Sequence, residues 1–264
     1  MAVFTTLYSG SSGNCAYIKE GDGFLLVDMG KNCKQTMLGL AALQEDVKNL
    51  QGILITHEHS DHISGLKVFL KKVKVPIYGS SATLDFLAER ELVPADIEMI
   101  PLDGGRPENI GEYTVNSFRT SHDSADCAGY RIVTPSGKIA AIATDLGYVS
   151  DEVYENLKGA DVIGLESNYD EQMLMFGAYP YYLKKRIAST RGHLCNVDSA
   201  NTISRLIQDG SKRFALCHLS QENNTPGQVR LTLEQILQQA GIELTNDMIM
   251  QVASRHAVSP IIEF

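Results

Sequence analysis

Six consecutive residues, His57-Glu58-His59-Ser60-Asp61-His62, hold three of the seven histidines in this 264-residue chain. Imidazole titrates near neutrality, is the commonest metal ligand, and rarely clusters for purely structural reasons. Three imidazoles beside a carboxylate suit Zn²⁺, and also Mn²⁺ or Fe²⁺. The plainer alternative is a solvated, histidine-rich loop. The flanks argue against it. The apolar run Ile53-Leu54-Ile55 leads into the motif, and a stretch with helical periodicity begins at Ile63. A strand end and a helix start would then hold the motif from both sides.

Three further residues share that kind of placement. His122 follows the alternating stretch Tyr113–Arg119, Asp145 follows Ile139–Ala143, and His218 follows Phe214–Cys217. Each stands just past an apolar strand, where loops at one end of a sheet converge. Any one of them alone reads as an ordinary loop residue. Together with the histidine cluster they form a set.

Two similar halves would position these groups. Cys15–Lys19 pairs with Phe24–Val27 across Glu20-Gly21-Asp22-Gly23, and that strand ends in Asp28-Met29-Gly30. Ala128–Val133 pairs with Lys138–Ala143 across Thr134-Pro135-Ser136-Gly137, and that strand ends in Asp145-Leu146-Gly147. Each half then runs helix, strand, polar loop. The first has Cys33–Leu43, Gly52–Thr56 and His57-Glu58-His59; the second has Asp151–Leu157, Asp161–Leu165 and Glu166-Ser167-Asn168. Helices are also expected over Ile63–Lys72, Ser81–Glu89, Val197–Gln208 and Leu231–Gln239, with Gly210 and Gly241 as stops. The tail from about Met248 has strand-like stretches. This is an α/β pattern, expected as one domain over residues 1–264.

Composition narrows the classes. A net charge of −9 argues against a protein that coats nucleic acid nonspecifically, because such binding rests on Lys and Arg neutralising phosphates. It leaves room for a nuclease whose bound cations supply the local positive field. Five cysteines, an odd number with no Cys-x-x-Cys, fit a reducing compartment better than a disulfide framework. The start shows no basic segment followed by an apolar one, and no apolar run approaches the roughly 20 residues of a membrane helix. A cytoplasmic protein without membrane attachment is expected.

The pattern His-x-His-x-Asp-His, followed by a spaced His, Asp and His, resembles the metallo-β-lactamase superfamily over nearly the whole chain. The resemblance implies a four-layer αββα sandwich with the site at one sheet edge. It implies two divalent ions, Zn²⁺ or Mn²⁺, with Fe²⁺ also compatible. One would sit on His57, His59 and His122, the other on Asp61, His62 and His218, with Asp145 bridging them. Asp28 would orient a ligand histidine by accepting its free N–H. Class B β-lactamases present Cys where this chain has Asp145. A bridging carboxylate favours the paired cations used on phosphodiesters, with a shared hydroxide as nucleophile that Asp61 and Asp145 would orient.

Three segments carry the likeness further. Ser9-Gly10-Ser11-Ser12-Gly13-Asn14-Cys15, Leu165-Glu166-Ser167-Asn168-Tyr169-Asp170 and Arg191-Gly192-His193-Leu194-Cys195-Asn196 are similar to the bacterial YycJ/WalJ (VicX) group. That implies a 5′-to-3′ exonuclease with DNA as substrate. Ser11, Ser12 and Asn14 offer groups to cradle a phosphate, unless they merely form a tight loop before a strand. His193 is the third catalytic candidate, as a phosphate ligand or as proton donor to the leaving oxygen; the alternative is a loop histidine bonded to backbone. Asn168 and Arg191 complete the expected substrate contacts, and Glu166 with Asn168 would equally serve to orient ligands or to hold the strand end. Lys67, Lys71, Lys72 and Lys74 read as a solvated helix face. Lys184, Lys185, Arg186 and Arg191, interleaved with Tyr179, Tyr181 and Tyr182, are the better candidates to track a DNA backbone. His256 reads as structural or surface. Two other readings stay open: a glyoxalase-type thioester or small-ester hydrolase, which S-lactoylglutathione turnover would select, and a non-catalytic metal-binding regulator.

Overall fold

In a computed structural model, which describes residues 1–264, the first half of the chain builds one sheet and the second half another. The first contains β1 (Val3–Tyr8), β2 (Cys15–Lys19), β3 (Phe24–Val27), β4 (Leu50–Leu54), β5 (Ile77–Gly79) and β6 (Met99–Pro101), neighbours in that order. The second contains β7 (Glu108–Ile110), β8 (Tyr113–Arg119), β9 (Ala128–Val133), β10 (Ile139–Ala143), β11 (Val162–Glu166), β12 (Arg213–Cys217) and β13 (Ile249–Val252), again in order. The last strand, β14 (Ile262–Glu263), returns to pair antiparallel with β1.

The two sheets repeat one scheme. β1, β2 and β3 are joined antiparallel, and β3 to β6 run parallel. β8, β9 and β10 are joined antiparallel, and β10 to β13 run parallel. The similar halves read from the hairpins are therefore a property of the topology. Both hairpins fall at the residues expected of them.

Helices cover the outer faces. α1 (Cys33–Ala42), α2 (Ser60–Ile63), α3 (Leu66–Leu70) and α4 (Ser81–Glu89) belong to the first half; α5 (Asp151–Leu157), α6 (Glu171–Phe176), α7 (Tyr181–Ile187), α8 (Asn196–Gln208) and α9 (Pro226–Gln239) belong to the second. Asn32, Ser80, Ser150, Asp170 and Thr225 cap their helices by accepting early backbone N–H groups, each cap contributing about 1 kcal/mol. Three apolar clusters separate four layers. Phe4, Ile18, Leu25, Tyr130 and Ile142 fill the space between the sheets. Tyr17, Leu26, Leu40, Phe69 and Leu87 lie between the first sheet and its helices. Ala141, Ile163, Ile203, Phe214 and Leu233 lie between the second sheet and its own. Both faces of each sheet are covered, which is why Phe24-Leu25-Leu26-Val27 and Ile139-Ala140-Ala141-Ile142-Ala143 are continuous apolar runs rather than alternating ones.

Two helices differ from expectation. The one expected over Ile63–Lys72 is broken at Ser64-Gly65 and starts earlier, so Asp61 and His62 stand on α2 rather than in a loop. The break comes from close approach: Gly65 N–H donates to Met29 O, and a Cβ at Gly65 would lie 1.9 Å from Lys31 O. The helix expected from Leu231 begins at Pro226, where Thr225 caps it and proline suits the first turn. No helix is long and apolar enough to cross a membrane, and all five cysteines are free and buried.

Candidate metal centre and active site

Residues that follow β3, β4, β8, β10 and β12 meet in one cleft. Asp28, Asp145 and His218, each just past a strand, adopt left-handed backbone with φ of 65°, 58° and 57°. That conformation is costly for most residues but is visited by Asp and His, and it turns the chain sharply out of the sheet. Asp28-Met29-Gly30 and Asp145-Leu146-Gly147 are thus the same turn at equivalent places in the two halves. Neither closing glycine has room for a side chain: a Cβ would lie 1.7 Å from Asp61 O at Gly30 and 2.3 Å from the Thr190 carbonyl carbon at Gly147.

All seven expected metal-holding residues come together. His57, His59 and His122 bring three ring nitrogens within 4.8 Å of one another, and Asp61, His62 and His218 form a second trio on the same criterion. His57, His62 and Asp145 form a third, which joins the two. Asp145 Oδ2 lies 3.2 Å from His62 Nε2, and its Oδ1 lies 3.3 Å from His218 Nδ1 and 3.8 Å from His122 Nε2. Two buried atoms, His57 Nε2 and Asp145 Oδ2, have no partner in hydrogen-bonding geometry. Buried polar atoms are normally paired. An orphaned imidazole nitrogen and an orphaned carboxylate oxygen, among other ring nitrogens, fit a divalent cation.

Behind these groups a second set fixes which nitrogen faces the cleft. Asp28 Oδ2 accepts from His62 Nδ1 at 2.7 Å and from Thr56 Oγ1 at 2.8 Å, while its Oδ1 accepts from Thr56 N–H at 2.8 Å. With its proton on Asp28, Thr56 Oγ1 accepts from His57 Nδ1 at 3.0 Å. His122 Nδ1 donates to Gly192 O at 2.8 Å, and His218 Nδ1 donates to Glu166 Oε1 at 2.7 Å. In all four rings Nδ1 is tied down and Nε2 faces the other donors, that of His62 with the Asn14 side-chain amide 3.2 Å away, the arrangement that holds metal-binding imidazoles. Asp28 thus contacts His62 directly and His57 through Thr56.

Glu166 serves both of the roles weighed for it. It is fully buried. Its Oε2 accepts from the Leu146 and Leu194 N–H groups, and its Oε1 accepts from His218 Nδ1 and, at 2.9 Å, from His193 Nδ1. His193 is partly exposed and lines the cleft with Nε2 unbonded. The cleft, about 350 Å³, is also lined by Ser11, Asp61 and Asn168. Asn168 is itself held by donating to His218 O at 2.7 Å. Sequence reasoning missed Ser60, Ser220, Leu183 and Ile187, the last two on α7, which with Tyr179 and Arg186 walls one side.

Three expected substrate contacts lie elsewhere. Asn14 is buried; its Oδ1 accepts from Gly10 N–H and its backbone N–H donates to Asp61 O, so the Ser9–Cys15 loop braces α2 from behind. Ser12 is exposed but is not on the cleft wall. Arg191 directs its guanidinium at His122 O, 3.2 and 3.3 Å away, and so fastens a backbone carbonyl instead of reaching outward. A glycine-rich turn wedged under a helix has its polar groups consumed internally, and no composition rule distinguishes that from an open cradle.

The clustered charges shift one another strongly without metal. Burial drives His57 well below its ordinary value, and His62 alongside adds to the drop. Burial opposes charge on His218 too, but Asp145, Asp61 and Glu166 outweigh it and push that ring to about 10. His62 is likewise raised, by Asp145 and Asp28 against burial. Burial alone would raise Asp145, yet His218 and His62 hold it well below the usual carboxylate range.

A β-lactamase superfamily domain model matches residues 25–219, a span that contains Asp28 and all seven converging residues. The chain belongs to the β-lactamase superfamily. Within it, exodeoxyribonuclease YycJ of Bacillus anthracis is 38% identical over 239 residues, 90% of each chain. Exodeoxyribonuclease WalJ of Streptococcus pneumoniae is 34% identical over 262 residues, 98% of this chain and 97% of that one. The metallo-β-lactamase fold protein YhfI from Bacillus subtilis superposes with a TM-score of 0.71 at 18% identity, covering 97% of this chain and 98% of that one, a likeness of fold. The four-layer αββα sandwich is that of the superfamily, and its donor clusters suit divalent metal.

Proposed function

We propose that this chain, acting as one domain over residues 1–264, is a metal-dependent DNA exonuclease that degrades from the 5′ end. The observation that carries the reading is the pair of donor trios joined by Asp145, in a chain whose relatives of nearly equal length are named exodeoxyribonucleases. His57, His59 and His122 would hold one divalent ion, and Asp61, His62 and His218 a second, with Asp145 shared. Zn²⁺ fits the imidazoles and Mn²⁺ the shared carboxylate. When bound, such a pair supplies Lewis acidity at a phosphoryl oxygen and lowers the pKa of water.

The remaining work falls to the side chains. Asp28 and Thr56 hold His62 and His57 in one tautomer. Asp61 and Asp145, both anionic, accept hydrogen bonds from the attacking water and orient it. Glu166 accepts the Nδ1 proton of His193, so that ring can carry a second proton at Nε2 and pass it to the leaving oxygen. Ser11 and Asn168 stand at the cleft wall to contact the nucleotide.

The test is an end-labelled DNA duplex incubated with protein stripped of metal and reloaded with Mn²⁺ or Zn²⁺. Shortening from the 5′ end, absent in His62→Ala, is the expected result. Intact DNA from protein carrying two ions would instead favour a small-molecule ester.

Metal uptake should release protons. Without metal, His218 is protonated at pH 8, since it titrates at about 10, and His62 is shifted in the same direction by Asp145 and Asp28. Coordination through Nε2 requires the His218 ring to lose a proton, so loading at that pH should release at least about one per chain. Calorimetric titration in buffers of different ionisation enthalpy measures this; zero release would remove His218 from the ligand set. The charge pairing of His218 stabilises the metal-free protein fully below the ordinary histidine value, and the gain is lost as pH rises through about 10.

A further inference from the structure

A second cavity, about 650 Å³, has none of α7 in its lining. It shares His59 and Ser60 with the cleft, so the two adjoin at the donor cluster. Its outer walls come from α2 to α4 and the segment after α4, with Lys67, Phe86 and Arg90 on them. Lys67 and Arg90 are exposed and neither has a carboxylate within 4 Å. The Arg90 guanidinium lies over the Phe86 ring, 5.2 Å from its centroid, which holds it in place without neutralising it. The one carboxylate lining the second cavity, Glu58, accepts from the Ala125 N–H at 2.8 Å.

In the basic group beside His193, Arg186 is paired with Asp123, Arg191 is on His122 O and Lys184 is on Met175 O, while Lys185 lies over Tyr181 as Arg90 lies over Phe86, held but not neutralised. In a chain of net charge −9, two exposed cations without a carboxylate partner line a groove that adjoins the metal centre. We infer that this groove carries the DNA strand on one side of the bond being cut, with Lys67 and Arg90 holding backbone phosphates. The inference rests on the exonuclease reading and specifies how an acidic protein holds a polyanion, through a short cationic track rather than a basic surface.

The test uses metal-loaded protein and fluorescent, phosphorothioate-linked single strands of increasing length, with affinity measured against salt. For single strands each phosphate contact contributes about 0.7 to the slope of log K against log salt. Lys67→Ala with Arg90→Ala should lower that slope by about 1.4 and abolish the gain in affinity with strand length. Both residues are exposed, so the fold should stand. Lys67→Glu with Arg90→Glu should reduce kcat/KM on DNA about tenfold or more relative to kcat/KM on bis(p-nitrophenyl) phosphate. Lys184→Ala with Lys185→Ala is the comparison: a slope lowered by this pair and not by the first overturns the assignment. Normal DNA cleavage and an unchanged slope in the Lys67/Arg90 variants overturn the groove alone. A parent protein that neither binds nor cuts DNA overturns the exonuclease reading, and the groove with it.

Discussion

Asp145→Ala is expected to abolish phosphodiester hydrolysis while leaving both sheets intact. The side chain lies at the centre of the cluster, 1% exposed, within 4 Å of His62, His122 and His218. Without it the two trios lose their common anion, and His62 and His218 face one another with only Asp28, Asp61 and Glu166 to offset their charge. Two ions should no longer be retained together. Activity should fall further than it does on removing a group that only supports a ligand, a loss of about 100-fold at most. Far-UV circular dichroism should be unchanged, since Asp145 makes no side-chain hydrogen bond that holds the turn; Leu146 and Gly147 are bonded through their backbones to Glu166 and Ser121. Steady-state rates with elemental analysis of metal per chain would decide it. Activity within about tenfold of the parent, with two ions bound, would take Asp145 out of the centre.

Asp28→Asn should produce the second largest effect, by altering the position of one proton. As an acceptor, Asp28 takes the Nδ1 proton of His62 and leaves the Nε2 lone pair available to an acceptor of electron pairs. An amide nitrogen there would donate to Nδ1, so that the neutral ring would carry its proton on Nε2, the atom needed for metal. The same logic governs the aspartate behind a catalytic histidine in serine proteases. Metal affinity should fall about 10- to 100-fold, read by competition with a chromophoric chelator. Asp28→Ala should add a stability loss of about 1–3 kcal/mol for each group left unpaired, namely Thr56 N–H, Thr56 Oγ1 and His62 Nδ1. If the Asp28→Asn protein binds metal as tightly as its parent, Asp28 does not set the tautomer.

The converging groups were legible because chemistry and position coincided in the sequence. His57, His59, Asp61, His62, His122, Asp145 and His218 are residue types that bind metal and that follow apolar strands. Glu166 shows a limit. Glutamate after a strand carries no distinctive signal, but its place in the second half matches that of His57 in the first, at the end of the strand next to the Asp-x-Gly turn. Taking the repeat literally would have brought Glu166 to the centre. Asn14 and Arg191 show another limit. Polar side chains near a site are recruited as readily by buried backbone as by substrate, and only tertiary packing separates the two. The basic residues meet the same limit. Whether a cation is free depends on which carboxylates lie across from it, and Asp123 meets Arg186 from a loop over sixty residues away.

The strand order also sets a timetable. During synthesis the chain emerges from its amino end, and β1 to β6, with Asp28 and the His57–His62 motif, can assemble once about the first hundred residues are out. His122 and Asp145 follow, but His218 arrives only with β12. The edge strand β14, which pairs with β1 across nearly the full chain length, comes last of all. Loop closure over such a span is slow. A nascent chain held on the ribosome before β12 has emerged would thus present the first histidines as an incomplete, weak chelator.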